Sequence, residues 1–231
     1  TYEQALGVKW NTEMDTLHIN VNIPDRPPTR RGILSTVSSL YDPVGLISPV
    51  ILKGKHVVKL LCCDGYDWDE PVPEDIAAGW LQWKESIPLL SQISVPRCYT
   101  SSQDKIRIYE LHHFSDASTF GYGQTSYIRT IDEAGQIHSN LVMSKAKVTP
   151  KRTVTIPRLE LTAAVLSVNV ASFLEKELKI QNLHHFFWTD SMVVLGYIRN
   201  ETRRFQVFVA NRVQQIRERT TPDQWRFVKS E

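Results

Sequence analysis

Residues 110–124 read ELHHFSDASTFGYGQ, and how they are read decides the fold. The run up to Asp116 is apolar and β-prone, and glycines at 121 and 123 punctuate a second strand-like run just after it. A lone aspartate between two such runs is a turn residue. It becomes something else if other carboxylates converge on it, so the question is what the rest of the chain brings to the same place.

Downstream, the hairpin continues. KIRIYELHHF and TFGYGQTSYIRTI give two strands, DEAGQ a turn, and IHSNLVMSKA a third strand. IPRLELTAAVLSVNVASFLEKEL predicts a helix of about five to six turns, with Pro157 in its first turn. HHFFWTD is a short aromatic strand of the kind buried on both faces. SMVVLGYIRN and FQVFVANRVQQIRER are helical again, and WRFVKSE opens a last strand. The order βββ-α-β-α-α-β predicts a mixed α/β fold: a five-stranded mixed sheet with flanking helices, its first and fourth strands adjacent at the centre.

Upstream, ALGVKWNTEMDTLHINVNIP alternates about a turn at 11–15 and predicts a β-hairpin. Thr29 is placed to cap a helix, YDPVG interrupts it, and Ser48-Pro49 starts a second one. DGYDWDEPVPEDIAAGWLQW reads as an acidic, proline-bearing connector and a short helix ending near Pro88, and SVPRCYTSSQDK as an irregular boundary between halves.

Composition narrows the class. Hydrophobic residues at 42% and charged residues at 23% over 231 positions fit a globular chain with a sizeable core, without repeats or low-complexity tracts. The net charge of +2 permits nucleic-acid binding without demanding it. Three cysteines, two of them adjacent, make neither a disulfide framework nor a C-x-x-C metal pair, which favours an intracellular setting, cytoplasmic or nuclear. No apolar run approaches the ~20 residues of a membrane span. A chain that starts at Thr1 reads as part of something longer.

Three acids stand out. Asp116 ends the first strand of the second half, Glu160 lies early in the long helix, and Asp190 ends the aromatic strand. Each has a plain alternative: Asp116 as a turn residue, Asp190 as a helix cap, Glu160 as a helix-dipole partner. Glu160 resists its alternative, because its neighbours are Leu159, Leu161, Ala163 and Ala164, and a buried unpaired carboxylate costs several kcal/mol or more. A trio of acids converging without His or Cys suits a hard, oxygen-loving cation, Mg²⁺ with Mn²⁺ as substitute, and two such ions cleave phosphodiesters by in-line attack of water.

ELHHFSDAS, TIPRLELTAA and FFWTDSMVVL resemble the three acidic motifs of ribonuclease H. RRGILSTVSSLYDPVGLISPVILKGK, WDEPVPED, KVTPKRTVTIPRLEL, WTDSMVVLGYI and FVANRVQQI resemble BEL/Pao retrotransposon polyproteins, also filed as Pao retrotransposon peptidases, and the likeness spans nearly the whole chain. The resemblance implies the end of a reverse-transcriptase palm hairpin at 1–25, thumb-like helices at 26–63, a connection at 64–104 and a ribonuclease H-like domain at 105–231. It implies endonucleolytic cleavage of the RNA strand of RNA:DNA hybrids, with Asp116, Glu160 and Asp190 as catalytic metal ligands and the remaining polyprotein domains as partners. The family's fourth acid and final helix are expected beyond Glu231, so the chain as it stands is expected to bind hybrid and cleave it poorly. No Asp-Asp pair is present, so polymerisation is not expected. The alternative is a catalytically dead or domesticated remnant that binds nucleic acid or protein. Aspartic-peptidase chemistry is disfavoured, since neither DTL at Asp15 nor TDSM at Asp190 supplies the required glycine.

Two basic groups are candidates for phosphate contact. Lys145, Lys147, Lys151, Arg152 and Arg158 precede Glu160, and Arg30, Arg31, Lys53 and Lys55 lie on the first helices. A solvated loop and an ordinary helix surface are the plain readings of each.

Overall fold

The computed structural model describes residues 1–5, 8–99, 105–202 and 204–230. The chain divides into two compact units, 1–98 and 99–231.

The first unit joins a small antiparallel sheet to three helices. Strands β1 (Tyr2–Ala5), β2 (Val8–Asn11) and β3 (Thr16–Ile19) form a meander. The expected turn at 11–15 is there, built on the Asn11 side chain, whose oxygen accepts from the amides of Glu13 and Met14. Helices α1 (Arg30–Ser39), α2 (Ser48–Asp64) and α3 (Glu74–Ser86) follow. The Thr29 hydroxyl caps α1 by accepting from the Gly32 amide, as its position in the sequence suggested. Asp42 organises the YDPVG break, its carboxylate accepting from the amides of Gly45, Leu46 and Ile47. Gly54 lets the helices close up. A Cβ there would lie 2.7 Å from Val37 Cγ2 and 2.8 Å from the Trp83 ring, and Trp83 stacks on Trp80 in the same core.

Residues 94–96, read from sequence as irregular, are a strand, β4 (Ser94–Pro96), antiparallel to β3. Three residues carry too little pattern to be seen locally, and the pairing is made across more than seventy residues of chain. Residues 100–104 of the same expected boundary lie outside the described residues.

The second unit follows the predicted element order. Strands β5 (Ile106–Ala117), β6 (Gly121–Asp132) and β7 (Ile137–Val148) form an antiparallel meander, and Lys147, read as loop, belongs to β7. Helix α4 (Ile156–Leu178) crosses the sheet to β8 (Leu183–Thr189), then α5 (Met192–Arg199), α6 (Val207–Arg217) and β9 (Trp225–Phe227) complete it. The sheet order is β7-β6-β5-β8-β9, with β8 parallel to both neighbours. One core lies under α4, α5 and α6 around Leu161, Phe187, Leu195, Ile216 and Trp225, and a second joins α4 to Leu111, Ile128 and Val142 of the meander.

Candidate functional site

The site is set by a parallel pairing. A parallel neighbour needs a crossover, which α4 supplies, and the β5–β8 register runs from Tyr109↔Leu183 to Phe114↔Trp188. Continued two residues further, the same register puts Asp116 level with Asp190. Opposite Asp116 on the other side is Gly123, where a Cβ would come to 3.0 Å from the Lys145 carbonyl oxygen, so the backbones there approach as closely as glycine allows. That accounts for the second of the two glycines in the opening stretch.

Glu160, in the second turn of α4, reaches the residue after Asp190. Its Oε2 accepts from the Ser191 hydroxyl at 2.5 Å, and the Ser191 Oγ accepts in turn from the Val194 amide at 3.2 Å. Ser191 is the N-cap of α5, so the cap role considered for Asp190 falls to its neighbour. Asp190 Oδ1 is buried and has no hydrogen-bond partner. An unsatisfied buried carboxylate oxygen costs on the order of 1–3 kcal/mol or more, which a bound cation would relieve.

Asp116 is exposed, and its Oδ1 accepts from the Ala117 amide at 2.6 Å. Strand alternation puts it on the side of β5 that carries His112 and Phe114, whose rings stack with Phe186 and Trp188, while α4 packs on the Leu111 side. Among the described residues no group of three or more His, Cys, Asp and Glu is gathered tightly enough to hold a metal ion. The structure thus brings Glu160 to Ser191, the residue after Asp190, and leaves Asp116 at the level of Asp190 on the neighbouring strand, on the side of β5 away from α4.

The basic candidates divide. Lys145 and Lys147 are exposed on β7, with the Lys145 ammonium 5.7 Å from the Phe173 ring centre. Lys151 and Arg152 are exposed between β7 and α4. Arg158 turns toward α6, donating to Gln206 Oε1 at 3.0 Å. In the first unit Lys53 and Lys55 are exposed on α2, but the arginines are engaged internally. Arg31 makes a two-point pair with Asp69 (2.7 and 3.0 Å), while Arg30 donates to the Tyr66 carbonyl and lies 4.0 Å over the Trp68 ring. They latch the acidic connector onto α1. Asp15, of the DTL triplet, is likewise committed: hydrogen bonds from Arg97 and Trp10 hold the pKa of its carboxyl at about 2.

Two features escaped the sequence reading. One is Arg212 of α6, lying against Phe208 and Thr162. The other is a buried chain from His185 Nδ1 to His113 Nε2 (3.1 Å), His113 Nδ1 to Ser126 Oγ (2.7 Å) and Ser126 Oγ to Gln124 Oε1 (2.8 Å). Since the Ser126 hydroxyl donates to Gln124, His113 Nδ1–H donates to Ser126, and His185 Nδ1–H donates to His113. Burial drives the His113 pKa down to about 3 and lowers that of His185. Inward and outward rings at each His-His pair follow from strand alternation; the linkage between the two inward rings needed the β5–β8 register.

A mixed sheet in this order, crossed by one long helix and carrying acids at the ends of its two central parallel strands, is the fold of a ribonuclease H-like domain. The chain belongs to the Pao retrotransposon-like RNaseH-like domain family, whose model matches residues 29–191. Among solved structures, the foamy viral protease-reverse transcriptase dRH in complex with double-stranded DNA is similar over 98% of this chain and 37% of its own, at 11% identity and a TM-score of 0.51. RNase H1 from the halophilic archaeon Halobacterium salinarum NRC-1 is similar over 52% of this chain and 83% of its own, at 11% identity and a TM-score of 0.33. LC11-RNase H1 in complex with an RNA/DNA hybrid is similar over 52% and 83%, at 12% identity and a TM-score of 0.31. At these identities the likeness concerns the fold alone. No curated protein matches.

Proposed function

We propose that the second unit is the ribonuclease H part of a retroelement reverse transcriptase and hydrolyses the RNA strand of RNA:DNA hybrids. In this reading the first unit represents the palm edge, thumb and connection that precede it. The observation that carries the proposal is the partnerless buried Oδ1 of Asp190, next in the chain to the Ser191 that Glu160 holds and level with Asp116 in the β5–β8 register. An all-oxygen set of carboxylates fits Mg²⁺ or Mn²⁺. Asp190 and Glu160 would hold the ion, and Asp116 would join them only by leaving the Ala117 amide and turning toward the α4 side of β5. Such an ion, when bound, supplies activation of a water and stabilisation of the leaving oxygen. Ser191 keeps Glu160 oriented toward the Asp190 loop, and its own position is fixed by capping α5.

A second reading, a binding module without catalysis, is favoured by one observation: Asp116 turns onto its own strand's Ala117 amide rather than toward Glu160. The test is hybrid cleavage by the wild type and by Asp190→Asn, with Mg²⁺ or Mn²⁺ added. Cleavage that is lost in the variant while its melting is retained supports the nuclease. Wild-type protein that binds hybrid and leaves it intact in both metals, even when the chain is extended through the fourth acid and final helix that the resemblance implies, would establish the second reading. Equal cleavage by both proteins would place the metal elsewhere.

A further inference from the structure

The C-terminal half of α4 and the start of β8 enclose a cavity that the acid site does not use. Its volume is about 360 Å³, within the range of small-molecule sites. Ala171 and Glu175 of α4, His185 and Phe187 of β8, and Arg219 and Gln224 between α6 and β9 form its walls. His185 precedes Asp190 by five residues, about 17 Å along the strand direction, so the two places are separate.

The charges of this cavity do not close on each other. Glu175 and Arg219 line it with opposite sign, yet among the described residues neither is in an ion pair. Asn169 draws Arg219 aside, its side-chain oxygen accepting from Nη1. A guanidinium has five N–H donors, and this is the one that Arg219 spends within the protein. His185 adds an acceptor. Its Nδ1–H donates to His113, so Nε2 carries a lone pair on the ring edge turned away from His113, and that buried atom has no partner. Burial keeps the ring neutral, against the pull of Glu175. Gln224 is already committed, its amide donating to the His185 carbonyl and accepting from the Thr221 amide.

The cavity therefore offers acceptors at Glu175 and His185, donors at Arg219, and apolar surface from Ala171 and Phe187 in the gap between helix and strand. A flat ring with adjacent N–H donors on one edge and acceptors on the next matches this pattern. Guanine has that arrangement: N1–H and the N2 amine on one edge, O6 and N7 on the next, the latter pair being the usual partner of arginine. Adenine turns a lone pair at N1 toward the carboxylate, and uracil has a single N–H between two carbonyls. We propose that this cavity binds an unpaired guanine base, Glu175 accepting from N1–H and the N2 amine, His185 Nε2 accepting the remaining amino proton, and Arg219 donating to O6 and N7. A free nucleotide and an unpaired stretch of nucleic acid present the same base. A base-paired guanine is excluded, because pairing already occupies N1–H and the amine. The proposal stands apart from the nuclease reading.

The test uses the full chain with divalent metal chelated. GMP, IMP and AMP share one phosphate, so differences among them in calorimetry report the base alone. IMP, which lacks the N2 amine, should bind about tenfold more weakly than GMP, and AMP more weakly still. Glu175→Gln and Arg219→Gln, both at exposed positions, should each weaken GMP binding about tenfold with melting unchanged. GMP should also move the His185 ring nitrogen signals in NMR. Equal binding of GMP and AMP, no binding of GMP, unmoved His185 signals, or wild-type affinity in folded Glu175→Gln would each overturn the site. A short single-stranded oligoribonucleotide with one guanine names the source. Tighter binding than GMP that is lost in Glu175→Gln assigns the cavity to unpaired nucleic acid, and binding of GMP alone assigns it to the free nucleotide. Cleavage by Asp190→Asn bears on the acid site only, and the GMP titration decides the cavity whatever its outcome.

Discussion

Lowering the pH from 7 to 5 should destabilise the second unit through His113, well above the range where carboxylates titrate. The ring is fully buried and lies against Phe187, with Ser126 on β6 and His185 on β8 as its partners and His112 its neighbour on β5. Neither histidine's neighbours in that chain offer it a carboxylate, although Glu175 acts favourably on protonated His185. Burial holds the His113 pKa at about 3, against an unfolded value near 6.5. A depressed folded-state pKa means that the unfolded chain takes up the proton first. The neutral ring's contribution is intact above pH 6.5 and is lost as pH falls from 6.5 toward 3. At about 1.4 kcal/mol per unit, the loss reaches roughly 2 kcal/mol at pH 5 and at most roughly 5 near pH 3. Urea unfolding followed at the Trp225 indole signal reports this unit, and the His113 ring can be titrated directly by NMR. His113→Leu should lie much flatter between pH 7 and 5. A folded-state His113 titrating near 6.5, or a variant with the same pH dependence as the wild type, would refute the reasoning.

Gly54→Ala should cost about 1–3 kcal/mol in urea unfolding of the first unit, since its Cβ collides with Val37 and with the Trp83 ring, and the Trp emission should shift with it. Ser191→Ala removes both the cap of α5 and the hydroxyl on Glu160, so a loss of about 1 kcal/mol is expected on thermal melting, with weaker metal binding by calorimetry. Asp190→Asn should raise the melting temperature of the metal-free protein slightly, because it removes the charge from a half-buried carboxylate whose Oδ1 has no partner; a fall would mean that Oδ1 is satisfied in solution. Neutralising Lys151 and Arg152 together should weaken hybrid binding and flatten its salt dependence, and an unchanged slope would return this loop to an ordinary solvated surface.

The strand order of the second unit was legible because its signals are long: twelve-residue strands, a 23-residue helix with an apolar face, turns marked by glycine and acidic residues. Glu160 was legible as a polar residue in apolar company. The side of β5 on which Asp116 falls was harder. ELHHFS carries polar and apolar residues on both sides, so the period of two is blurred where the strand is covered on one side by α4 and on the other by aromatic neighbours. Strand β4 is too short to show a period at all. Arg212 sits in a helix that reads as an ordinary amphipathic surface, and only its packing against α4 distinguishes it from Arg217, which caps α5 through the carbonyls of Ile198 and Asn200. Arg30 and Arg31 look alike in sequence to any exposed basic pair; their contacts with Trp68 and Asp69 come from thirty-odd residues away.

The parallel pairing of β5 with β8 also fixes the order in which the chain can be completed. Strands β5, β6 and β7 are joined by turns of a few residues and can pair as soon as they exist. Strand β8 must wait for the whole of α4, and its pairing closes a loop of more than sixty residues before any contact repays the entropy. Asp116 therefore belongs to the part that forms early, while Asp190 and the Ser191 hydroxyl arrive with the part that forms late. During synthesis the meander is out of the ribosome well before Thr189, and Glu160 meets the Ser191 hydroxyl only when the last strands dock. Under mild denaturation the expected order reverses: amides of β8 and β9 exchange first, and the Glu160–Ser191 hydrogen bond breaks while the meander still stands.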